Sequence, residues 1–223
     1  MKREIDWFAW HRLYDDPTSK RAKRLERMQS AVLQALESVS SGPVELLSVC
    51  AGQGREISGA LERFSRPREV NVRMIELDPR NAACAETAVR AAGSGRVEVT
   101  IDDAGLRRHY AGGARVDVLL LCGVFGNLTL DDIERSVVLA DSLLSAGGLV
   151  VWTRHRAEPD RVPLIRSWFA GHGFTEAHVD DDPDAVAVVV NRSTRERGPL
   201  PDGDRMFTYH SGVPSLARLR RPA

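Results

Sequence analysis

The sequence predicts an α/β protein built on a doubly wound, mostly parallel sheet. In the middle of the 223-residue chain, short apolar runs rich in β-branched residues alternate with segments of helical character. This alternation favours βαβ units, and right-handed crossovers then place helices on both faces of the sheet. Strands are expected at Val44–Cys50, Val70–Glu76, Val97–Ile101, Val116–Cys122 and Leu149–Thr153.

The segments between these strands carry the boundary signals of helices. Asp78 can cap one helix, with Pro79 in the tolerated first position and Gly93 at its end. Thr129 or Asp131 can cap the next one. Helices are expected at Glu56–Ser65, Arg80–Ala92, Leu130–Leu144 and Pro163–Gly171.

The segments outside this core have their own patterns. Residues 1–40 predict an N-terminal cap, which consists of an aromatic turn and one long amphipathic helix. After the fifth strand a hairpin is expected, with strands near Thr175–Asp180 and Val186–Asn191, which brings the sheet to seven strands. The apolar positions of the cap helix recur at helical spacing: Leu25, Met28, Val32, Ala35, Leu36 and Val39.

The chain is therefore divided into this cap, a core over residues 41–192 and a C-terminal extension over residues 193–223. In the extension, Met206–His210 is expected to form a short strand. Because the extension is rich in Pro, Gly and Arg, we expect disorder after about residue 211.

Composition and charge exclude several classes of protein. The 31 basic residues balance 31 acidic ones, so no global field gathers nucleic acid. No apolar run approaches the ~20 residues needed to cross a bilayer, and the N-terminus has no apolar signal-peptide core, so we expect a cytoplasmic protein. The three cysteines form no CxxC pair, which argues against a disulfide framework and a structural zinc site, and no metal is expected.

The stretch VCAGQGRE, at the end of the first strand, indicates a loop that approaches a ligand closely. A phosphate-binding P-loop needs Gly-Lys-Ser/Thr at its end, but here Gly54 is followed by Arg55 and Glu56. A dinucleotide site needs a third small residue where this chain has Ile57, and its pyrophosphate would face Glu56. S-adenosylmethionine, which has no phosphate, is the third possibility.

Acidic residues end the next two strands, at the same edge of the sheet. Glu76 ends the second strand, and Asp102 and Asp103 follow the third. S-adenosylmethionine needs an acid for its ribose hydroxyls and a polar group for its adenine, at the strand ends where open α/β sheets bind ligands. This series, with Cys-Gly after the fourth strand and the hairpin after the fifth, resembles the class I S-adenosylmethionine-dependent methyltransferases over roughly residues 40–192, and among them a group of small bacterial proteins.

The resemblance implies a Rossmann-like sheet whose last strand is antiparallel, with S-adenosylmethionine as the cofactor. The loop after the first strand would hold the methionine part, Glu76 the ribose hydroxyls, and Asp103 the adenine amino group, with Asp102 as a stand-in. The cofactor-binding residues that the resemblance implies are Ala51, Gly52, Gln53, Gly54, Glu76, Leu77, Asp102, Asp103, Ala104, Cys122 and Gly123.

Two positions depart from the family pattern. Ser48 stands where the family commonly has an acid, and Cys50 stands where it has the first glycine of the loop. Glu56 is the acid that could compensate. The glycines of the loop could instead make a simple tight turn, and the strand-end acids could lie on the surface.

Candidate catalytic residues lie at two places. Methyl transfer is a displacement that needs alignment and exclusion of water, and a base only if the acceptor must lose a proton. His155, after the fifth strand, is the best candidate for that base, because imidazole titrates near neutrality, although it could be a surface histidine. His11 and Tyr14 are candidates for polar contacts with the acceptor, although the aromatic stretch around them could simply staple the first helix to the sheet.

The sequence thus favours methyl transfer to a small-molecule acceptor, with no nucleic-acid and no membrane partner. One alternative is an rRNA or tRNA methyltransferase, with a basic rim to which Arg107, Arg108, Arg154 and Arg156 could contribute. The other is a protein that binds the cofactor without transferring its methyl group, and such a protein would have no open acceptor cavity beside the sulfonium.

Overall fold

A seven-stranded sheet forms the centre of the computed structural model, which describes residues 5–112, 115–181, 186–194 and 202–210. The strands are ordered β3-β2-β1-β4-β5-β7-β6, and only β7 runs antiparallel to its two neighbours. The predicted doubly wound sheet with a reversed last strand is confirmed. Its strands are β1 (Val44–Val49), β2 (Val70–Glu76), β3 (Val97–Ile101), β4 (Val116–Leu121), β5 (Leu144–His155), β6 (Phe174–Asp181) and β7 (Val186–Ser193).

Helices cover both faces of this sheet. Successive residues of β1 point to opposite sides, so Leu46 packs in the core under α2–α4 and Leu47 in the core under α5 and α6. Both strand faces are therefore apolar, as in other parallel sheets. The helices are α1 (Trp7–Trp10), α2 (Lys20–Glu37), α3 (Arg55–Leu61), α4 (Pro79–Ala91), α5 (Leu130–Leu143) and α6 (Val162–Gly171).

Side-chain caps start the longer helices where the sequence predicts them. The Asp78 carboxylate accepts from the Arg80 N–H at 2.9 Å, and the Thr129 hydroxyl accepts from the Asp132 N–H at 3.2 Å. Ser19 caps α2 in the same way. The predicted apolar stripe of α2 faces the sheet, with Met28, Val32, Ala35 and Leu36 buried and Leu25 and Val39 partly buried.

The strand expected at Met206–His210 is wrong. Arg205 forms one isolated antiparallel bridge with Leu106, and residues 206–210 run on without strand geometry. The reason is that their backbone N–H groups bond to separate elements: Met206 to the Gly105 carbonyl at 2.8 Å, Thr208 to the Asp132 carboxylate and His210 to the Asn127 carbonyl. The disorder expected after residue 211 lies outside the described residues.

The fifth strand also differs from its prediction. It begins at Leu144, where a helix was expected to end, and it extends to His155. A register shift opposite Val116 and Val118 accommodates the glycine-bearing start of this strand.

In the described parts of the chain, no helix is long and apolar enough to cross a membrane.

Candidate functional site

A cavity of about 370 Å³ opens at the carboxyl edge of the sheet. It lies where β1 has β2 on one side and β4 on the other, which is the switch point at which open α/β sheets bind ligands. Its wall combines the loops after β1, β2, β3 and β4 with the N-terminal cap and residues 205–209. The predicted residues that line it are Ala51, Gly52, Gln53, Glu76, Leu77, Asp103, Ala104, Cys122, Gly123, His11, Tyr14 and His155.

Gly54 and Asp102 are the two predicted residues that lie elsewhere. Gly54 begins α3 at a φ of 64° and packs against α4, where a Cβ would lie 3.2 Å from side-chain atoms of Ala85 and Val89. Asp102 lies off the cavity wall and pairs with Arg108. These two residues do not line the cavity, and their contact with the cofactor stays a prediction.

The loop after β1 bends through left-handed conformations at alternate positions. Cys50, Gly52 and Gly54 have φ of 55°, 56° and 64°. For the two glycines this geometry is free of strain, whereas a residue with a Cβ loses about 1–2 kcal/mol there. Cys50 thus adopts a left-handed backbone conformation that favours glycine.

Glu76 joins the ends of β1 and β2. Its Oε2 accepts from the Gly52 N–H at 2.8 Å, and its Oε1 accepts from the Asp78 N–H at 2.9 Å. Burial raises the pKa of Glu76 to about 7, against the lowering effect of these backbone bonds. A carboxylate has about four acceptor sites, so Glu76 can accept a further hydrogen bond from a ligand beside these backbone bonds.

Asp103, at the end of β3, is held on both oxygens. Oδ1 accepts from the Gly105 N–H at 2.8 Å, and Oδ2 pairs with Arg205 at 2.6 Å. The side chain therefore has a fixed position on the cavity wall. Its partner comes from the C-terminal extension, which sequence reasoning did not place near the site.

The N-terminal cap lies over the loop after β1. His11 Nδ1 bonds to the Trp7 carbonyl at 2.7 Å, so Nδ1 carries the proton and Nε2 keeps a lone pair. Nε2 lies against Gly52, where an added Cβ would be 2.5 Å away. Burial lowers the pKa of His11, which keeps the ring neutral, and burial raises the pKa of Tyr14. His155, in contrast, is exposed at the cavity rim.

The loop after β4 is braced from two sides. The Thr153 hydroxyl accepts from the Gly123 N–H at 2.8 Å and from Arg24 Nη2 at 3.3 Å. Asn127 Nδ2 donates to the Gly123 carbonyl at 3.0 Å. These bonds connect the cap helix α2, β4 and β5 beside the cavity.

Solved structures of methyltransferases resemble this chain. Magnesium protoporphyrin IX methyltransferase from Synechocystis, with bound S-adenosylmethionine, matches with a TM-score of 0.61 and 13% identity, over 86% of this chain and 100% of that one. A TehB-like S-adenosylmethionine-dependent methyltransferase from Corynebacterium glutamicum matches with a TM-score of 0.54 and 17% identity, over 78% and 96%. No protein-family model and no curated protein sequence matches the chain. The fold is that of the class I S-adenosylmethionine-dependent methyltransferases.

Two parts of the cavity wall lie outside the motifs that indicated this methyltransferase fold. Arg24 reaches the cavity from α2, and Tyr209 reaches it from residues 202–210, which we call the C-terminal strap. Tyr209 packs edge-on against Trp7 with 6.0 Å between ring centroids, so the N-terminal cap and the C-terminal strap meet over the cavity. The one sequence signal for the strap was the apolar pair Met206 and Phe207, both of which are buried.

Proposed function

We propose that the protein transfers a methyl group from S-adenosylmethionine to a small-molecule acceptor. The observation that carries this proposal is Glu76, a buried carboxylate on the cavity wall whose bonds in the described structure come from backbone N–H groups, those of Gly52 and Asp78 among them. A buried acid with spare lone pairs is suited to the two hydroxyls of a ribose. It lies at the end of β2, beside the loop after β1, where the ribose of a nucleoside cofactor lies in doubly wound sheets.

The residues of the cavity fit S-adenosylmethionine. The cofactor is a cation at its sulfonium, and the cavity contains the carboxyl groups of Glu56, Glu76 and Asp103. Gly52 and Gly123 line it without side chains, which lets a ligand approach the backbone. When bound, the cofactor supplies an electrophilic methyl group. The protein contributes alignment of the acceptor and exclusion of water.

Of the three candidate catalytic residues, His11, which the sequence predicts only as a polar contact, has the arrangement that proton removal needs. Its Nδ1–H is fixed by the Trp7 carbonyl, and the lone pair of Nε2 is held at the cavity. A hydroxyl or amine acceptor can pass its proton to this nitrogen as the methyl group is transferred. Tyr14 and His155 complete the proposed polar groups, with Tyr14 inside the cavity and His155 at its rim.

An aromatic wall supports a small acceptor. Trp7, Trp10, Tyr14 and Tyr209 line the cavity, and their rings meet edge-on at centroid distances between 5.4 and 6.0 Å. Such a wall binds planar or apolar groups through surface burial and ring contacts.

A cytoplasmic location stays a prediction.

The proposed basic rim of an RNA methyltransferase finds less support. Arg108 pairs with Asp102, and Arg156 pairs with Asp160. Burial lowers the pKa of Arg154, whose Nε is enclosed. Because these charges are paired or enclosed, they contribute little to a surface field that would gather phosphates.

Calorimetric titration of the full chain tests the cofactor. We expect S-adenosylmethionine and S-adenosylhomocysteine to bind and NAD not to bind. Glu76→Ala should weaken both interactions by more than tenfold, whereas Glu62→Ala, an exposed glutamate at the end of α3, should leave them unchanged. Binding of NAD alone, or equal binding by both variants, would overturn the proposal.

Formation of S-adenosylhomocysteine with candidate acceptors tests transfer itself. The proposal expects turnover with a pool of small aromatic hydroxyl and amine compounds, and none with rRNA or tRNA transcripts. Turnover with the RNA alone favours the RNA methyltransferase. Cofactor binding without turnover in either pool favours the protein that binds the cofactor and transfers nothing.

A further inference from the structure

Arg24 brings a positive charge to the cavity that no carboxylate of the described chain neutralises. Three arginines line the cavity wall. Arg55 pairs with Asp15 at 2.8 Å. Arg205 pairs with Asp103 at 2.6 Å. Arg24, in contrast, has no described carboxylate within 4.0 Å, and because a guanidinium always carries its charge in proteins, that charge is open to a ligand.

The Arg24 guanidinium has a fixed position with one donor unused. Its Nη2 donates to the Thr153 hydroxyl at 3.3 Å and would lie 3.5 Å from a Cβ added to Gly123, at the end of β4. Its Nε is buried and has no hydrogen-bond partner among the described residues. A buried N–H without a partner is costly, and a ligand oxygen would relieve that cost.

The indole of Trp7 adds a second enclosed donor to the cavity wall. Its Nε1 is buried and has no hydrogen-bond partner in the part of the chain that the structure describes. Tyr209 is a neighbour of both residues, because Trp7 packs against its ring at 6.0 Å. Burial raises the pKa of Tyr209, and the nearby charge of Arg24 acts against that rise. Two enclosed donors, one of them charged, fit an anion that carries oxygen atoms.

The charge of the cofactor also favours an anionic acceptor. S-adenosylmethionine is a cation at its sulfonium, and two like charges in one enclosed cavity raise each other's free energy. Burial raises the pKa of Glu56 and that of Glu76 to about 7, so at neutral pH these acids neutralise only part of the positive charge. An anion on the acceptor would compensate for the remainder.

A carboxylate suits Arg24 better than a phosphate. The fork of a guanidinium matches the two oxygens of a carboxylate. A phosphate would bring up to two negative charges to a single unpaired arginine, in a cavity that already contains the carboxyl groups of Glu56, Glu76 and Asp103. The anion is therefore expected to be a carboxylate.

The distance between Arg24 and His11 suits an acceptor with one aromatic ring. His11 Nε2 lies over the loop after β1, whereas Arg24 lies over the end of β4. These strands are neighbours in the sheet, and neighbouring strands lie about 5 Å apart. A ring held by the aromatic wall can thus reach Arg24 with one substituent and His11 with another.

We infer that Arg24 anchors a carboxylate of the methyl acceptor, which makes the substrate an aromatic acid with a separate hydroxyl or amine group. The inference rests on the proposed function, and it names the substrate class. The carboxylate neutralises Arg24 and orients the ring, and it is not methylated itself. The hydroxyl or amine faces His11, where its oxygen or nitrogen gains the methyl carbon, loses its proton to Nε2 and leaves the electron pair of the broken bond on the sulfur of the cofactor. Arg24 is thus a residue that determines specificity.

Pairs of compounds that differ only in charge isolate the contribution of Arg24. Hydroxybenzoates, hydroxycinnamates and hydroxynaphthoates are each compared with the corresponding primary amide, which has the same shape and no charge. Binding is measured by calorimetry on the full chain in the presence of S-adenosylhomocysteine, for the unchanged protein and for Arg24→Met. Lys23→Met is the matched control, because it removes an exposed charge from the preceding position of α2. Thermal unfolding confirms that each variant folds.

At least one acid should bind the unchanged protein more than tenfold tighter than its amide. Arg24→Met should bring that ratio to within about twofold of unity, and Lys23→Met should leave it unchanged. Arg24→Lys, which keeps the charge but loses the fork, should keep part of the preference.

The failure of this inference can be distinguished from that of the proposed function. If no acid binds better than its amide, or if the preference survives in Arg24→Met, the inference is overturned. It is also overturned if Arg24→Met weakens binding of S-adenosylhomocysteine and leaves the ratio of acid to amide unchanged, since the guanidinium then serves the cofactor. In each of these cases, turnover of neutral aromatic hydroxyl or amine compounds would leave the proposed function standing. If the unchanged protein does not bind S-adenosylhomocysteine, both fall.

Discussion

His11 Nε2 lies so close over Gly52 that a single added methyl group at Gly52 would be 2.5 Å from it. The contact joins His11 of the N-terminal cap to Gly52 of the loop after β1, 41 positions further along the chain. It needs a residue without a side chain at Gly52, and it places the neutral imidazole at the cavity wall.

A double-mutant cycle on this pair measures the contact. Gly52→Ala should cost about 2–4 kcal/mol, because the new Cβ meets His11 and the φ of 56° disfavours alanine. In the His11→Ala background the same change should cost only the backbone strain of about 1–2 kcal/mol. Gly147→Ala is the control, because its φ is 74° and no atom lies within 4 Å. If the losses in unfolding free energy of the two single variants simply add in the double variant, as measured by urea unfolding, the contact is contradicted.

The pH dependence of stability should report Glu56. Its pKa in the folded protein is raised from 4.5 to about 7, so its contribution to stability is full below pH 4.5 and is lost as the pH rises through 7. Glu56→Gln removes this loss. The variant should therefore gain about 2 kcal/mol relative to the unchanged protein between pH 5 and pH 8.

Urea unfolding at pH 5, 6, 7 and 8 without ligand provides the measurement. Arg24 and Glu76 are the charged groups that affect Glu56, and Tyr14 and Cys122 lie nearby. Glu62→Gln, which is exposed, should show no such trend. A constant difference between Glu56→Gln and the unchanged protein across this range would show that Glu56 titrates normally.

Replacing Cys50 or Cys122 by glycine rather than alanine should change stability in opposite directions. At Cys50 the φ of 55° disfavours every residue with a Cβ, so Cys50→Gly should be more stable than Cys50→Ala by about 1 kcal/mol. Cys122 has no positive φ, so Cys122→Gly should be less stable than Cys122→Ala by a similar amount. Thermal unfolding of the four variants checks the reversal, and the same sign at both positions would refute the strain at Cys50.

The C-terminal strap should depend on apolar burial more than on its ion pair. Phe207 is 1% exposed, and Phe207→Ala should cost about 3–5 kcal/mol. The Arg205–Asp103 pair is about one-third exposed on both sides, so Arg205→Met should cost at most about 1 kcal/mol. Asp202→Asn, which is exposed, is the control in the same urea series. If Arg205→Met lowers the free energy of unfolding by more than Phe207→Ala does, this ranking is wrong.

The sheet could be predicted because its strands are short apolar runs bounded by turn and helix-start signals. Val70–Glu76 and Val97–Ile101 form strands with the predicted bounds, and the hairpin after the fifth strand is present as expected. Two of the acids that line the cavity were also predictable, since the carboxyl ends of neighbouring parallel strands meet at one edge. That rule places Glu76 and Asp103 without knowledge of any long-range contact.

Contacts between distant segments could not be predicted in this way. Arg24 lies on α2, whose apolar stripe predicts only which face of the helix is buried. The stripe does not predict that the Arg24 guanidinium reaches the hydroxyl of Thr153. Tyr209 follows a segment without periodicity, so its place over the cavity depends on the burial of Met206 and Phe207. His11 was predicted as a polar contact, but the proton on Nδ1 follows only from the Trp7 carbonyl.

The meeting of Trp7 and Tyr209 over the cavity has a consequence for the order of folding. One ring belongs to the N-terminal cap and the other to the C-terminal strap, so most of the described chain lies between them. A contact between segments so far apart in sequence closes a long loop and therefore forms late in folding. The sheet with its strand-end acids can assemble while the cavity is still open on this side. The binding edge thus forms before the cover that excludes water, and the enclosed site is completed last.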